Sequence, residues 1–201
     1  MLKFALIGAG RIGRMHGSII AGHTKTELVW VYDILEDNAI TTANTTQARV
    51  AKSLDEIFED DSLDAVLIAS STETHAELIV RAAKAGKAVF CEKPIDLDIK
   101  RVDWCREQIQ GLQVPVQIGF NRRFDPSHRK VADKAKDGGI GNLEQVIISS
   151  RDPNPPPKEY YLAAGGMFRD MTIHDFDMAR YVLNEEVETV MAMSATLFDP
   201  V

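Results

Sequence analysis

The sequence predicts an α/β chain: a doubly wound parallel sheet over residues 1–120, then an incomplete α+β open-sheet domain over 121–201. Three observations carry this. Short apolar runs alternate with stretches of helical period through the first 120 residues. A G-x-G-x-x-G sequence stands between the first such run and the first helix. Beyond Phe120 the alternation stops, and prolines and glycines break the chain into longer irregular pieces.

The apolar runs fall at Lys3–Ile7, Leu28–Tyr32, Ala65–Ala69, Ala88–Cys91 and Val114–Phe120. Each has strand length and is apolar at successive positions, as strands covered on both faces are. Helical spacing appears at Arg14–Ala21, Leu54–Phe58, Ala76–Ala85 and Ile99–Ile109, and Gly86 offers a C-terminal cap. Strands alternating with helices imply βαβ units and a parallel sheet. Asn38–Val50 is the weak spot: Thr41, Thr42, Thr45 and Thr46 favour a short helix, then a loop, with Ala48–Ala51 as a minor strand. In the second half Ser127–Ala135 and Thr172–Leu183 read as helices, and Asn142–Ser150 and Val187–Leu197 as strands. Asp152–Pro157 reads as a proline-stiffened loop. A two-stranded sheet is marginal alone, so the expectation is a truncated form of a longer chain.

Composition narrows the function classes. The 201 residues carry 23 Lys and Arg against 30 Asp and Glu, a net charge of −7, with 45 % hydrophobic residues. That is enough apolar material for a core and the wrong charge for nucleic acid or an anionic membrane. Two cysteines make no disulfide framework and no zinc spacing. No apolar stretch approaches a membrane span, and the N-terminus lacks the plan of a signal peptide, so a cytoplasmic location is expected.

Three segments carry candidate chemistry. In Gly8-Ala9-Gly10-Arg11-Ile12-Gly13, Gly8 permits a tight turn, Gly10 admits a diphosphate, and Gly13 lets helix and strand pack closely. The helix N-terminus then supplies N–H groups and positive potential. Asp33 closes the second strand about twenty residues on, where a carboxylate accepts ribose hydroxyls and repels a 2′-phosphate; this favours NAD over NADP. Arg11 reads equally as a phosphate or adenine contact and as a solvated side chain. The second segment is the strand end Glu92-Lys93-Pro94. Ligands of open α/β sheets sit at carboxyl ends of strands. Lys93 is therefore either a donor to a substrate oxygen or a solvated residue before proline, and Pro94 admits a cis bond. The third is Gly166–Asp177. Asp170 and His174, four apart, share a face if one helix runs through both, and a carboxylate beside an imidazole suits a general base. The other reading is a helix-end acid and a structural histidine. Asp175 and Asp177 read as capping or solvated, and no metal site is expected.

Together with Phe120-Asn121-Arg122-Arg123-Phe124-Asp125, these segments resemble the Gfo/Idh/MocA oxidoreductase family, and the resemblance covers essentially the whole chain. Arg151-Asp152-Pro153 and Gly166–Asp177 are especially similar to its inositol dehydrogenases. The resemblance implies an N-terminal Rossmann domain and a nicotinamide-dependent dehydrogenase of a cyclitol or sugar hydroxyl. It places Lys93 against both cofactor and substrate, makes Asp170 and His174 catalytic and substrate-binding, and gives substrate roles to Arg122 and Asp152. Ser70, Ser71, Thr72 and His75 match the family's cofactor loop, and Glu92 joins the cofactor set with Gly8, Gly10, Arg11, Ile12, Gly13 and Asp33. It further implies a homo-oligomer formed through the C-terminal sheet; from the acidic charge and the short apolar runs, no nucleic-acid or membrane partner is expected. Asn121 stands where a methionine is usual, and family members are substantially longer. Two other readings stay open: a non-catalytic NAD-binding module and an inactive fragment.

Overall fold

Parallel strands buried on both faces must be covered by helices on both faces, and the arrangement of the first unit follows from that. The computed structural model describes residues 1–151 and 164–195, which fall into two compact units. The first holds residues 1–120 with 164–170; the second holds 121–151 with 171–195.

In the first unit, β1 (Leu2–Ile7), β2 (Thr26–Tyr32), β3 (Arg49–Val50), β4 (Ala65–Ile68), β5 (Ala88–Cys91) and β6 (Val116–Ile118) form one six-stranded sheet in the order β3-β2-β1-β4-β5-β6. Every neighbouring pair is parallel. The chain leaves β3 at one edge and re-enters at β4 beside β1, so the strand order reverses there, which is where ligands of this architecture bind. The helices are α1 (Arg11–Gly22), α2 (Glu36–Thr46), α3 (Leu54–Phe58), α4 (Thr72–Lys84), α5 (Ile99–Ile109) and the short α7 (Met167–Asp170).

The period of two along each strand divides the core between the faces. Ala5, Ile7, Val66 and Ile68 pack with Ile57, Ile79 and Val89 on one side. Leu6 and Leu67 pack with Ile20, Leu28, Val31, Ala39 and Ala43 on the other. Burying an aliphatic side chain of this size contributes about 1.5–3 kcal/mol. Both cysteines are free and buried, and burial pushes the Cys91 thiol far above its ordinary range.

The expected strands and helices of residues 1–120 are present within a few residues of their ends, with one change of substance. Where a short helix and loop were expected, α2 runs to Thr46. Three of the four threonine hydroxyls turn back onto the helix: Thr41 Oγ1 donates to the Asp37 carbonyl at 2.7 Å, Thr45 Oγ1 to that of Thr42 at 2.9 Å and Thr46 Oγ1 to that of Thr42 at 2.7 Å. Ala39, Thr42 and Ala43 bury one face, and Glu36 and Asp37 suit the positive end of the helix. Packing overrides the weak propensity.

The second unit holds a 3₁₀ turn (Asn121–Phe124), α6 (Pro126–Lys136) and α8 (Ile173–Leu183). Ala132, Met178 and Val182 form its core, with Leu143 and Val146 against them. The strand expected at Asn142–Ser150 is absent, and no strand appears among the described residues of Val187–Leu197. Both runs have β-forming sequences, but a strand exists only when a neighbour completes its ladder and covers a face. Here Ile147 is 82 % exposed and Met191 85 %. The loop at Asp152–Pro157 lies outside the described residues. Among the described residues no helix is long and apolar enough to cross a membrane.

Asp60 ties the sheet to the chain crossing beneath it. Its carboxylate accepts the Trp30 indole N–H at 2.8 Å, and its carbonyl accepts from the buried Lys87 ammonium at 2.7 Å. Hydrogen bonds from the Ser62 hydroxyl and then the Trp30 indole hold the carboxyl down at about 2, against an ordinary 3.8. A lowered folded value stabilises the fold above the unfolded value, and this is lost as pH falls through the folded one. Asp60→Asn should therefore lower Tm by a constant amount above about pH 4, with the gap to wild type closing between pH 4 and pH 2. Tm followed by tryptophan fluorescence tests this; a gap independent of pH would refute it.

Candidate active site

β1 ends at Ile7, and the chain must turn at once into α1 beneath the sheet edge. Gly8 does this at φ +92°, and a Cβ there would lie 2.5 Å from the Ala69 carbonyl carbon. Gly13 sits one helical turn on, against the backbone of Gly8 itself. Gly10 is the N-cap of α1, without a side-chain cap, and nothing lies within 4 Å of its missing Cβ. The first turn of α1 carries no acidic residue. N–H groups at this end therefore face open space with the helix dipole behind them, which suits an anion.

Asp33 follows β2 and closes the other side of the turn. Its Oδ2 accepts the Ala9 N–H at 2.6 Å and its Oδ1 the Leu35 N–H at 2.8 Å. Oδ1 also accepts from Asn38 Nδ2 at 3.5 Å; a carboxylate offers about four lone-pair positions, so Oδ2 retains capacity for a hydroxyl. Asp33, Gly8, Gly10 and Ser70 line a cleft of about 470 Å³, with Leu54 and Leu78 on its apolar wall. Phosphate-binding turn, acid and apolar wall together fit an adenine dinucleotide. Ser71 and Thr74 also line the cleft; Thr72 is the first residue of α4. Arg11, the first residue of α1, is exposed, and Ile12 is half-buried.

His75 departs from the expected cofactor contact. It is 2 % exposed. Its Nδ1 lies 2.8 Å from the Pro94 carbonyl oxygen and its Nε2 3.0 Å from that of Ser70. The helical phase of α4 explains this: His75 shares the buried face with Leu78, Ile79 and Ala82. The ring is inside the protein and both nitrogens point at backbone.

β5 delivers Glu92, Lys93 and Pro94, and the Lys93–Pro94 bond is cis. Lys93 Nζ donates to Asp170 Oδ1 at 2.9 Å and to the Asp170 carbonyl at 2.8 Å. Asp170 closes α7, so a residue 77 positions away orients the ammonium. Glu92 Oε1 lies 2.7 Å from His16 Nε2 of α1, and the His16 ring meets Phe90 edge-on. Neither the Lys93–Asp170 nor the His16–Glu92 pair was anticipated from sequence.

In the second unit Asp175 and Asp177 are paired with arginines, where capping or solvation was expected. Arg122 binds Asp175, which also accepts the Ser150 hydroxyl at 2.6 Å. Arg123 grips the buried Asp177 through Nε at 2.8 Å and Nη2 at 2.5 Å, and that hydrogen bonding raises the guanidinium above its ordinary value. The neighbouring arginines at 122 and 123 and the acids at 175 and 177 were the available signal. His174 is the second residue of α8. The helix breaks at Met171-Thr172, so Asp170 and His174 are not on one continuous helix. Asp152 lies outside the described residues.

A parallel sheet in this order, with its glycine turn and with an acid at the end of the second strand, defines a dinucleotide-binding domain. The chain belongs to the Gfo/Idh/MocA family: residues 2–120 match its oxidoreductase, NAD-binding Rossmann fold, and residues 128–201 its C-terminal domain. It is 47 % identical over 198 residues to an inositol 2-dehydrogenase of Rhizobium meliloti, covering 98 % of this chain and 60 % of that protein. It superposes with a TM-score of 0.87 on a crystal structure of a myo-inositol dehydrogenase from Corynebacterium glutamicum, at 48 % identity, covering 90 % of this chain and 55 % of that one. A scyllo-inositol dehydrogenase from Lactobacillus casei, solved with NAD(H) and scyllo-inositol, gives 0.77 at 28 % identity, covering 92 % and 57 %. The chain thus spans about 60 % of the length of the curated relative it matches.

Proposed function

We propose that the protein carrying this chain is an NAD-dependent dehydrogenase that oxidises a secondary hydroxyl of a cyclitol or sugar. The observation that carries the reading is the seated Lys93 ammonium at the carboxyl end of β5, in the same unit as the glycine turn and Asp33. The relatives' names, inositol 2-dehydrogenase among them, support the substrate class.

In this reading the N–H groups at Gly8–Gly13, with Arg11 and Ile12 at the head of α1, hold the diphosphate. Asp33 accepts the ribose hydroxyls. Ser70 and Thr72 border the cofactor along the loop into α4, and Glu92 borders it beside Lys93. The nicotinamide ring, when bound, supplies the hydride acceptor. Lys93 donates to the substrate oxygen and stabilises negative charge developing there, a contribution made mainly in the transition state. Asp170 fixes the ammonium. His174 takes the hydroxyl proton as general base. Arg122 and Asp152 hold the remaining substrate hydroxyls. A guanidinium has five N–H donors, so binding Asp175 through Nη1 is compatible with that role. The same reading carries a cytoplasmic homo-oligomer formed through the C-terminal sheet.

Titration with NAD and NADP tests the cofactor half; NAD should bind about tenfold tighter or more, the equivalent of ~1.4 kcal/mol. A panel of inositols and sugars, followed by the absorbance of reduced cofactor, tests the chemistry, and at least one inositol should be oxidised. Tighter NADP binding would overturn the role of Asp33, and NAD binding without polyol oxidation would overturn the enzymatic reading.

A further inference from the structure

We infer that His75 is a positioning residue that couples the cofactor loop to the lysine turn, so that one ring sets both cofactor affinity and chemistry. The inference rests on the dehydrogenase reading above.

Carbonyl oxygens only accept hydrogen bonds, so any hydrogen bond at either contact must come from the ring. The two oxygens belong to the segments that matter. Ser70 lines the cleft, and its neighbour Ala69 packs on the Gly8 turn so closely that no Cβ fits between them. Pro94 directly follows Lys93, whose ammonium is seated on Asp170. The Nε2 contact at 3.0 Å and the Nδ1 contact at 2.8 Å therefore join the carboxyl ends of β4 and β5 through a rigid planar group. A second bond, Ser70 Oγ to Thr74 Oγ1 at 2.7 Å, ties the cofactor loop to the same turn of α4. A neutral imidazole carries one N–H, so one contact is a hydrogen bond and the other a close approach; the ring is 2 % exposed, so neither carbonyl oxygen has bulk solvent beside it. Leucine offers no donor, and glutamine carries both of its N–H groups on one nitrogen, so neither reproduces polar atoms on two edges of a rigid ring. Displacing a catalytic group by about 1 Å can cost 10²-fold in rate.

The position predicts an unusual kinetic split. Asp33 substitutions should act on NAD binding, and Lys93 substitutions on kcat. His75→Gln and His75→Leu should do both, raising KM for NAD several-fold and lowering kcat about tenfold or more. Ile79→Val provides the control. Ile79 is buried on the same helix and does not line the cleft. It should lower Tm with kcat and KM unchanged, as a purely structural role for His75 would also require. A second measurement does not depend on the variants folding: NAD titrated into the unmodified, isotope-labelled protein should shift the His75 ring resonances. Unchanged kcat and KM in a folded His75→Gln protein, or ring resonances indifferent to saturating NAD, would overturn the inference. Wild-type protein that neither binds NAD nor oxidises a polyol would instead remove the dehydrogenase reading, and the inference with it.

Discussion

Gly13→Ala should cost the first unit more than about 3 kcal/mol of stability, at or above the upper end of ordinary overpacking. A Cβ at Gly13 would stand against the Gly8 carbonyl oxygen, far inside van der Waals contact, and 2.8 Å from the Gly8 carbonyl carbon. The obstacle is backbone, so no side chain can swing aside. Gly8 cannot retreat either, because its other side packs on Ala69 and Ser70 and its N–H is bonded to the Tyr32 carbonyl at 2.8 Å. Relief requires α1 to move off the sheet, uncovering Leu6, Ile20 and Leu28. At about 2–4 °C per kcal/mol for a chain of this size, Tm should fall by at least roughly 6–12 °C. Gly10→Ala is the informative contrast. Gly10 has φ −68° and open space at its Cβ, so the fold should lose no more than ~1 kcal/mol at this N-cap. NAD binding should suffer instead, because the methyl enters the space a diphosphate would occupy. A Gly13→Ala protein with wild-type Tm would refute the packing argument; equal effects of the two variants on NAD affinity at full stability would refute the division of labour.

These glycines were legible because their role is local: a strand, a turn and a helix follow one another in ten residues. The strands were legible for a similar reason, since burial on both faces leaves unbroken apolar runs such as Ala65–Ile68. Legibility failed where the deciding contact was distant. Lys93 and Asp170 are 77 residues apart, and His16 and Glu92 are 76 apart; no spacing rule connects either pair. His75 was grouped with the loop beside it in sequence, although its spacing to Leu78, Ile79 and Ala82 already placed it on the buried face of α4. The threonines of α2 disfavour a helix by propensity, yet three of their hydroxyls bond backbone carbonyls inside the packed helix, which propensity does not count. Residues 142–150 and 187–195 carry β-forming sequences, yet a strand is a property of a pair, and neither run has its partner among the described residues.

Lys93→Met should lower kcat about 10²–10³-fold, the range seen when one preorganised donor to a developing oxyanion is removed, while NAD affinity changes only a few-fold. The expected size follows from how the ammonium is held. Its side chain is 16 % exposed, and both the carboxylate and the carbonyl of Asp170 bind it. A group fixed this way needs little reorganisation when charge appears on a substrate oxygen, and limited water strengthens its field. Methionine matches the length of the stem and removes only the charge and its donors. Lys93→Arg should not restore the rate, because a planar guanidinium carries its donors in a rigid fork and cannot reproduce a compact ammonium seated on two oxygens of one residue. Loss of the cation also leaves the Asp170 carboxylate, 28 % exposed, without this partner, so some fall in Tm should accompany the loss of rate. The two effects separate by temperature: assayed well below Tm, a stability defect disappears and a lost transition-state contact does not. A Lys93→Met enzyme with kcat within a factor of about two of wild type would reduce the lysine to a strut for Asp170, a result that the general-base and electrostatic magnitudes of such sites leave no room to reconcile with catalysis.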